Sequence, residues 1–277
     1  MGDSASDEYR ADDNRGGAYA GTTLNWLELL VRHRGVNAGP WGSWGGSRRT
    51  GYAYNWARSG AKAAELISEG QAAGLAQQVA EGRIAWAVLM IGTNDFGLAT
   101  YTDIYNGTLN GAPLSVMAYG IVAGIAQAVD TVRAAGPVTL LVTTIPTALA
   151  DSPAAQRVFP DAAGRHRVVE VMGAVNAGLR SALPPRGATL VDLDGLVAAL
   201  GPRMDGKGNI KVGDQVISFV VPGDEPHHTL LRDSRHAGTV MGGLLANYFL
   251  DHLAAAGGPN IPRFTDAELL TNAGIGN

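Results

Sequence analysis

The chain contains no cysteine, which excludes disulfide bonds, thiol catalysis and metal sites built on thiolates. Charged residues make up only 17% of the sequence, and the formal net charge is −4. Nucleic-acid binding favours a basic face, so we expect no nucleic-acid partner. No apolar run reaches the roughly 18 residues of a transmembrane helix, so no transmembrane segment is expected. No signal peptide is visible either.

Apolar residues are abundant: they form 46% of the 277 residues, as in a globular protein. This length is sufficient for one α/β domain with appendages. We expect a catalytic domain over residues 1–256 and an appendage over residues 257–277, with a small helix at residues 266–272. The sequence does not indicate the oligomeric state.

The N-terminal tripeptide Gly2-Asp3-Ser4 places a serine in a sharp turn. Glycine permits such a turn, and the Asp3 side chain can hydrogen-bond the backbone of that turn. A serine becomes a nucleophile only if a base takes its proton and donors stabilise the charge on the substrate. Alone, the tripeptide is also typical of an ordinary turn.

Three later segments contain the groups that such a serine needs. The backbone N–H of Gly60 can approach a ligand closely, because glycine has no side chain. Asn94 follows the apolar run at residues 84–91, which predicts a buried strand with Asn94 near its carboxyl end. Asp233 lies three residues before His236, ahead of a helical pattern. A serine, two oxyanion donors and an Asp–His pair are the groups required for acyl transfer.

With these four segments the chain resembles the SGNH, or GDSL-type, hydrolases, which are named for a Ser, a Gly, an Asn and a His. The matching residues are Ser4, Gly60, Asn94 and His236, with Asp233 in the Asp-x-x-His motif. The resemblance covers residue 2 to about residue 250. It implies an esterase with a flavodoxin-like three-layer α/β/α sandwich and a mostly parallel sheet. We expect no cofactor.

The resemblance also assigns a role to each matching residue. It implies that Ser4 is the nucleophile, that His236 is the base and that Asp233 orients the histidine. The implied oxyanion hole contains the backbone N–H groups of Ser4 and Gly60 and the side-chain amide of Asn94.

The resemblance has one departure at the N-terminus. In the family a strand leads into the Gly-Asp-Ser turn, whereas only Met1 precedes it here. We therefore expect the first strand to be missing from this chain, with Met1 as the last residue of a longer strand. We further expect a bacterial periplasmic or extracellular protein whose signal peptide lies upstream.

Four further residues are expected to brace loops or to line the substrate site: Asp3, Asp95, Trp56 and Tyr101. The aromatic residues before Gly60 allow two interpretations, namely a wall that stacks on sugar rings or the packing of a long loop. These aromatic residues are Trp41, Trp44, Tyr52, Tyr54 and Trp56.

Strand and helix patterns alternate along the middle of the chain, which predicts a doubly wound parallel sheet. Strands are predicted at residues 84–91, 138–144 and 188–193, with a shorter one at 36–38. Helices are predicted at residues 24–35, 74–79, 114–135 and 162–183, and after residue 237. Loops are predicted at residues 10–23, 39–46, 97–113 and 147–161, and a small β-hairpin insertion near residues 209–220.

One loop is rich in candidate metal ligands, namely Asp224, Glu225, His227 and His228. Carboxylates beside histidines can hold a divalent ion, but adjacent histidines point apart in an extended chain. Support of the nearby His236 is the alternative, and we expect no metal.

Together these patterns predict a serine esterase that hydrolyses a carboxylic ester through an acyl-enzyme. The polar, aromatic loops favour a short acyl group on a polar alcohol or carbohydrate. The alternatives are a lysophospholipase or lipase, and a non-catalytic carbohydrate-binding surface protein on the same fold.

Overall fold

The computed structural model describes residues 1–11, 13–45 and 48–276. These residues form two units, one from Met1–Asp3 and Gly60–Asp194, the other from Ser4–Ser59 and Gly195–Asn277. The domain boundary expected at residue 256 remains a prediction. The residues after it include Phe264, Leu269 and Leu270, which are buried.

Ten helices and seven strands are assigned within the described residues. The helices are α1 (Trp26–Arg34), α2 (Glu65–Ser68), α3 (Gln71–Ala80), α4 (Leu98–Asn106), α5 (Gly111–Ala134), α6 (Pro153–Val158), α7 (Ala162–Ala182), α8 (Leu193–Leu200), α9 (Thr239–Ala255) and α10 (Asp266–Asn272). The strands are β1 (Trp41–Ser43), β2 (Thr50–Tyr52), β3 (Trp86–Leu89), β4 (Thr139–Thr143), β5 (Thr189–Val191), β6 (Asn209–Val212) and β7 (Gln215–Ser218).

The first unit contains a parallel sheet with the strand order β3-β4-β5. Its strands are short and apolar, and Leu89, Leu141 and Val191 are completely buried. Such continuous apolar strands are typical of a parallel sheet that is covered on both faces. Helix α5 packs against α3 and α7 in the same unit. The predicted fold class, a mixed α/β protein with a parallel sheet, is confirmed.

Residues 1–3 pair in parallel with the end of β3. The Met1 amino group donates to the carbonyl of Val88 at 3.0 Å, and Asp3 N–H donates to the carbonyl of Met90 at 3.1 Å. Gly2 has φ 145°, and a Cβ at this position would lie 2.1 Å from the Met90 carbonyl oxygen. Only glycine fits here, because the two backbones approach too closely for any side chain.

The second unit contains helices α1, α9 and α10 and two antiparallel hairpins. Trp26 of α1 packs edge-on against Phe249 of α9, with ring centroids 4.9 Å apart. The hairpin predicted near residues 209–220 is confirmed as β6 and β7, and the helix predicted at residues 266–272 is confirmed as α10.

Two predicted loops contain helices instead. Within the loop predicted at residues 97–113, α4 ends at Gly107 in a left-handed conformation and buries Tyr101 and Ile104 on one face. The glycine and asparagine residues around α4 are its boundaries, and the residues between them form helix. Within the loop predicted at residues 147–161, the Ser152 hydroxyl accepts the Ala155 N–H and begins α6.

The strand predicted at residues 36–38 is wrong. Residues 36–40 have no regular structure, and the strand of this region is β1, which pairs with β2. Ala38 is instead tied to the segment after β2, because Tyr54 N–H donates to its carbonyl at 2.8 Å. Gly46, the last residue of the loop predicted at 39–46, lies outside the described residues.

Within the part of the chain that the structure describes, one helix, α5, is long and apolar enough to cross a membrane, with a mean hydropathy of 1.6 over 18 residues. The expectation of no transmembrane segment rests on unbroken apolar runs and stays a prediction. Glycine, serine and proline interrupt the consecutive apolar run, but they leave the average high. Helices from soluble cores pass the same test, so one such helix is weak evidence for a membrane span.

Candidate active site

Ser4, His236 and Asp233 form a chain of hydrogen bonds in the second unit. The Ser4 Oγ lies 2.7 Å from Nε2 of His236, and Nδ1 of His236 lies 2.6 Å from Oδ2 of Asp233. The His236 side chain is largely buried, with 12% exposed, whereas that of Asp233 is 39% exposed. A base between a hydroxyl and a carboxylate can take the hydroxyl proton while its own charge is balanced.

The loop before α9 fixes the Asp233 carboxylate. Its Oδ1 accepts the backbone N–H groups of Arg235 at 2.9 Å and His236 at 3.0 Å, so Oδ2 is left to face the imidazole. Ser234 has φ 61°, a left-handed conformation within this turn. Burial acts to raise the pKa of Asp233, but the hydrogen bonds and charge of His236 outweigh it and hold the pKa well below its usual range.

The N-terminus of α1 anchors the segment that carries Ser4. Asn25 and Glu28 form a capping box, and the Glu28 carboxylate also accepts the Tyr9 N–H at 3.2 Å. The Asn25 amide donates to the carbonyl of Asp7 at 2.7 Å. Trp26 Nε1–H donates to the Ser6 hydroxyl at 3.1 Å. The helix start is therefore bonded to residues on the C-terminal side of Ser4.

The first turn of α9 is bonded to the segment before α1. The Thr239 hydroxyl donates to the carbonyl of Thr22 at 2.7 Å and accepts the Leu24 N–H at 3.0 Å. Helix α9 begins just after His236, and α1 is bonded to the segment that carries Ser4. This contact and the packing of α1 on α9 therefore hold His236 and Ser4 at a fixed relative position.

A network of ion pairs connects Asp233 with the loop at residues 10–23. Arg15 Nη1 lies 3.1 Å from Asp233 Oδ2, and Arg15 Nη2 lies 3.0 Å from Asp13 Oδ2. Arg49 then bridges Asp13 and the buried Asp7. Each carboxylate therefore has a cationic neighbour, as partly buried charges require.

A buried carboxyl group lies beside this network. Glu8 Oε1 accepts the Tyr52 N–H at 2.8 Å, and the side chain is shielded from solvent by the segment around Gly51. Burial raises the pKa of Glu8 to about 7, and the charge of Asp7 adds to this effect. The acid is therefore protonated in the folded protein at a pH where the unfolded chain has released the proton.

We expect Glu8 to make the stability depend on pH. Its contribution is complete below pH 4.5, and it falls by about 3 kcal/mol as the pH rises to about 7, because only the folded state retains the proton. Glu8→Gln imitates the protonated acid, and its amide oxygen can still accept the Tyr52 N–H. Urea unfolding at pH 5 and pH 8 should show that the variant gains stability over the wild type mainly at pH 8.

The control is Glu81→Gln, which neutralises an exposed glutamate paired with Arg83. Its stability relative to the wild type should change little between the two pH values. An equal advantage of Glu8→Gln at both pH values would contradict the assignment to Glu8.

The first unit contains the segments of Gly60 and Asn94. The Asn94 side-chain amide donates to the carbonyl of Ala61 at 3.0 Å, and Asp95 Oδ2 accepts the Ala63 N–H at 3.0 Å. Two neighbouring residues therefore hold the turn that follows Gly60. An amide NH2 has two donors, and the bond to Ala61 fixes its orientation. Burial raises the pKa of Asp95.

The predicted substrate-lining residues have structural contacts of their own. Tyr101 is buried, its hydroxyl donates to the carbonyl of Ala150 at 2.6 Å, and its ring lies 4.4 Å from that of Phe159. The Arg48 guanidinium covers the Trp56 ring at 4.2 Å and the Trp44 ring at 4.7 Å. These contacts favour packing of the loop over a sugar-stacking wall for Trp44 and Trp56.

Asp3 is buried at the end of the segment that pairs with β3. A role of Asp3 in bracing the turn before Ser4 stays a prediction.

Among the described residues, no group of three or more His, Cys, Asp or Glu side chains could hold a metal ion. In the loop at residues 224–228, the His228 ring donates through Nδ1 to the carbonyl of Val221 at 2.6 Å. Asp224 Oδ1 accepts the Arg232 N–H at 3.2 Å. The contacts of His228 and Asp224 therefore stabilise the loop.

Four charged residues beside the candidate site are not predicted from the sequence: Asp7, Asp13, Arg15 and Arg49. They lie in segments that the composition describes only as polar loops, and Arg15 is 221 positions from His236. The only available signal is the alternation of acidic and basic residues around Asp13 and Arg15, which is common in exposed loops.

A parallel α/β sheet and a serine bonded to a His–Asp pair are features of serine hydrolases. The chain belongs to the GDSL-like lipase/acylhydrolase family, whose model matches residues 1–224. It is therefore a hydrolase of the type that acts on esters or lipids. No curated protein matches the chain. Asp233 and His236 follow the matched residues.

Proposed function

We propose that the chain is a serine esterase that works through an acyl-enzyme. Ser4 Oγ attacks the ester carbonyl while its proton passes to Nε2 of His236, and the same proton then goes to the departing alcohol. A water molecule then attacks the acyl-enzyme, with His236 again as the base, and releases the carboxylic acid and the free Ser4. Asp233 orients the imidazole and balances its charge. The hydrogen-bond chain from Ser4 through His236 to Asp233 is the observation that supports this proposal.

The proposed oxyanion hole contains the backbone N–H groups of Ser4 and Gly60 and the Asn94 amide. The bond from Asn94 to Ala61 supports this proposal, because it holds one N–H of the amide and thereby orients the other. Preorganised donors of this kind stabilise charge that develops only in the transition state.

The proposed substrate is a short acyl group on a polar alcohol or a carbohydrate. Two charged side chains, of Arg15 and Asp233, lie against Nδ1 of the His236 imidazole, and Asp13 is bonded to the far side of Arg15. Such groups are better suited to a hydroxyl-rich alcohol than to an acyl chain. We further propose a bacterial periplasmic or extracellular location for this activity.

A series of p-nitrophenyl esters from acetate to palmitate tests the function. We expect the highest kcat/KM for acetate, with a steady fall as the acyl chain lengthens. No release from any member above the Ser4→Ala background would refute the esterase and leave the non-catalytic alternative.

A second candidate, the hydrolysis of lipid esters, is favoured by the first half of α5. Every residue from 111 to 120 is exposed or half-buried, and Val116 and Tyr119 are 71% and 75% exposed. The sequence has no charged residue between Asp103 and Asp130. In the ester series, a maximum at long acyl chains together with binding to phosphatidylcholine vesicles would favour this candidate.

The role of Asn94 is tested by Asn94→Ala. We expect kcat to fall by roughly 100- to 1,000-fold with little change in KM, because the lost donor acts in the transition state. Steady-state kinetics with the acetate ester measures both constants. The control is Asn110→Ala, whose amide donates to the carbonyl of Gly107 on the surface. A raised KM with unchanged kcat would instead make Asn94 a ground-state binding residue.

A further inference from the structure

Two groups compete for one nitrogen of His236. Nδ1 lies 2.6 Å from Asp233 Oδ2 and 2.8 Å from Arg15 Nη1. The same Nη1 lies 3.1 Å from Asp233 Oδ2, so the three atoms form a closed triangle. The Arg15 side chain is only 18% exposed, and its other terminal nitrogen is bonded to Asp13. The guanidinium is therefore held in place beside the imidazole.

The triangle allows two hydrogen-bond arrangements. In one, Nδ1–H donates to Asp233, and Nε2 is free to accept the proton of Ser4. In the other, Arg15 donates to Nδ1, and Nε2–H points at Ser4, which prevents proton transfer. The ionised Asp233 favours the first arrangement, because its oxygen can accept from both Nδ1–H and Nη1–H.

In the productive arrangement, the guanidinium cation remains within 2.8 Å of a ring that becomes positive when it accepts the proton. A like charge at this distance disfavours the protonated ring. The proposed esterase requires the neutral ring to begin a turnover and loses the base when the ring is protonated from solvent. The same repulsion assists the return of the proton to the leaving alcohol.

Resting on the proposed function, we infer that Arg15 is a positioning residue whose cation opposes protonation of His236 and thereby extends the activity to lower pH. Its two carboxylate partners, Asp13 and Asp233, hold the guanidinium at this distance.

The other groups that face the ring do not supply this effect. Asp233 favours the protonated ring, because it is an anion beside it. Asp13 lies behind Arg15 and balances only part of its charge. Tyr9 meets the ring edge-on, with centroids 6.0 Å apart, and burial raises its pKa, so it stays neutral. Ser4 is neutral as well, which leaves Arg15 as the cation in contact with the ring among the described residues.

Arg15→Met tests the inference through the pH profile of kcat/KM for the acetate ester. We expect the acidic limb of this profile to move to higher pH, because a like charge next to the ring is lost. The plateau above this limb should fall by less than tenfold. Arg15→Lys keeps the charge, so its limb should stay near that of the wild type. Arg15→Gln keeps donors without the charge and should move the limb as Arg15→Met does.

The matched control is Arg203→Met, which removes a cation that is paired with Asp266, the first residue of α10. Its acidic limb should coincide with that of the wild type. If Arg15 only holds its loop against Asp233, the Arg15 variants will lose activity at every pH, and the acidic limb of the kcat/KM profile will not move. That result, obtained with variants that keep the wild-type circular dichroism, would overturn the inference.

A second measurement needs no substrate. The ring ¹⁵N signals of His236, assigned by their loss in His236→Gln, report protonation directly during a pH titration. We expect the midpoint to rise in Arg15→Met and Arg15→Gln but not in Arg15→Lys. If the midpoint moves while no ester is hydrolysed, the proposed function fails, and the inference that Arg15 opposes protonation of His236 stands. If esters are hydrolysed and neither midpoint nor limb moves, the inference fails alone.

Discussion

Ser4→Ala is expected to lower kcat for ester hydrolysis by about a million-fold, since a nucleophile and its base act as one unit. The Ser4 hydroxyl is bonded to His236 Nε2, and its loss leaves the hydrogen bonds of Asp233 to the loop unchanged. The variant should therefore melt at nearly the wild-type temperature. Release of p-nitrophenol from its acetate measures the activity, and circular dichroism measures the melt.

Ser6→Ala is the matched control, two positions along the same turn. The Ser6 hydroxyl accepts the Trp26 indole N–H, so its loss should cost about 1 kcal/mol of stability while most of the activity remains. More than a few per cent of the wild-type activity in Ser4→Ala would mean that another residue is the nucleophile.

The elements that were predicted from the sequence are those with a strong local signal. Strand β4 lies in a run of apolar and β-branched residues that Pro146 follows, and α7 keeps an apolar face over its 21 residues. The missed helices α6 and α8 are short; α6 begins at a local Ser152 cap, whereas a tertiary bond fixes the first turn of α8. In α8, for example, Leu193 N–H donates to the Thr144 hydroxyl at the end of β4. A local pattern cannot indicate such a contact.

The candidate site shows the same division. Ser4, Asp233 and His236 were predicted because their residue types and spacing form a recognisable set, and the structure places their side chains within hydrogen-bond distance. Arg15 could not be predicted, because a guanidinium in a polar loop has many geometries and only the folded chain selects one. The sequence therefore identifies His236 as the base, but only the folded chain shows which charged side chains lie beside it.

Asp233→Asn is expected to lower kcat by about 10⁴-fold, because the amide stabilises the wrong tautomer of His236. Two backbone N–H groups, of Arg235 and His236, donate to the Oδ1 position and require an oxygen there. The NH2 group must then occupy the Oδ2 position and donate to Nδ1. The proton of the ring moves to Nε2, which faces Ser4 and can no longer accept. Steady-state kinetics with the acetate ester measures the loss.

The ¹⁵N spectrum of His236 separates this explanation from the loss of charge alone. We expect the Nδ1 and Nε2 signals to exchange their protonated and unprotonated positions in Asp233→Asn, and the Arg15 donor 2.8 Å from Nδ1 should reinforce the exchange. Asp224→Asn is the control, since Asp224 accepts the Arg232 N–H in the same loop region and faces no imidazole in the described contacts. An inactive Asp233→Asn variant that retains the wild-type tautomer would show that the carboxylate acts through its charge. In that case the charges beside His236, negative on Asp233 and positive on Arg15, would influence its strength as a base more than its tautomer does.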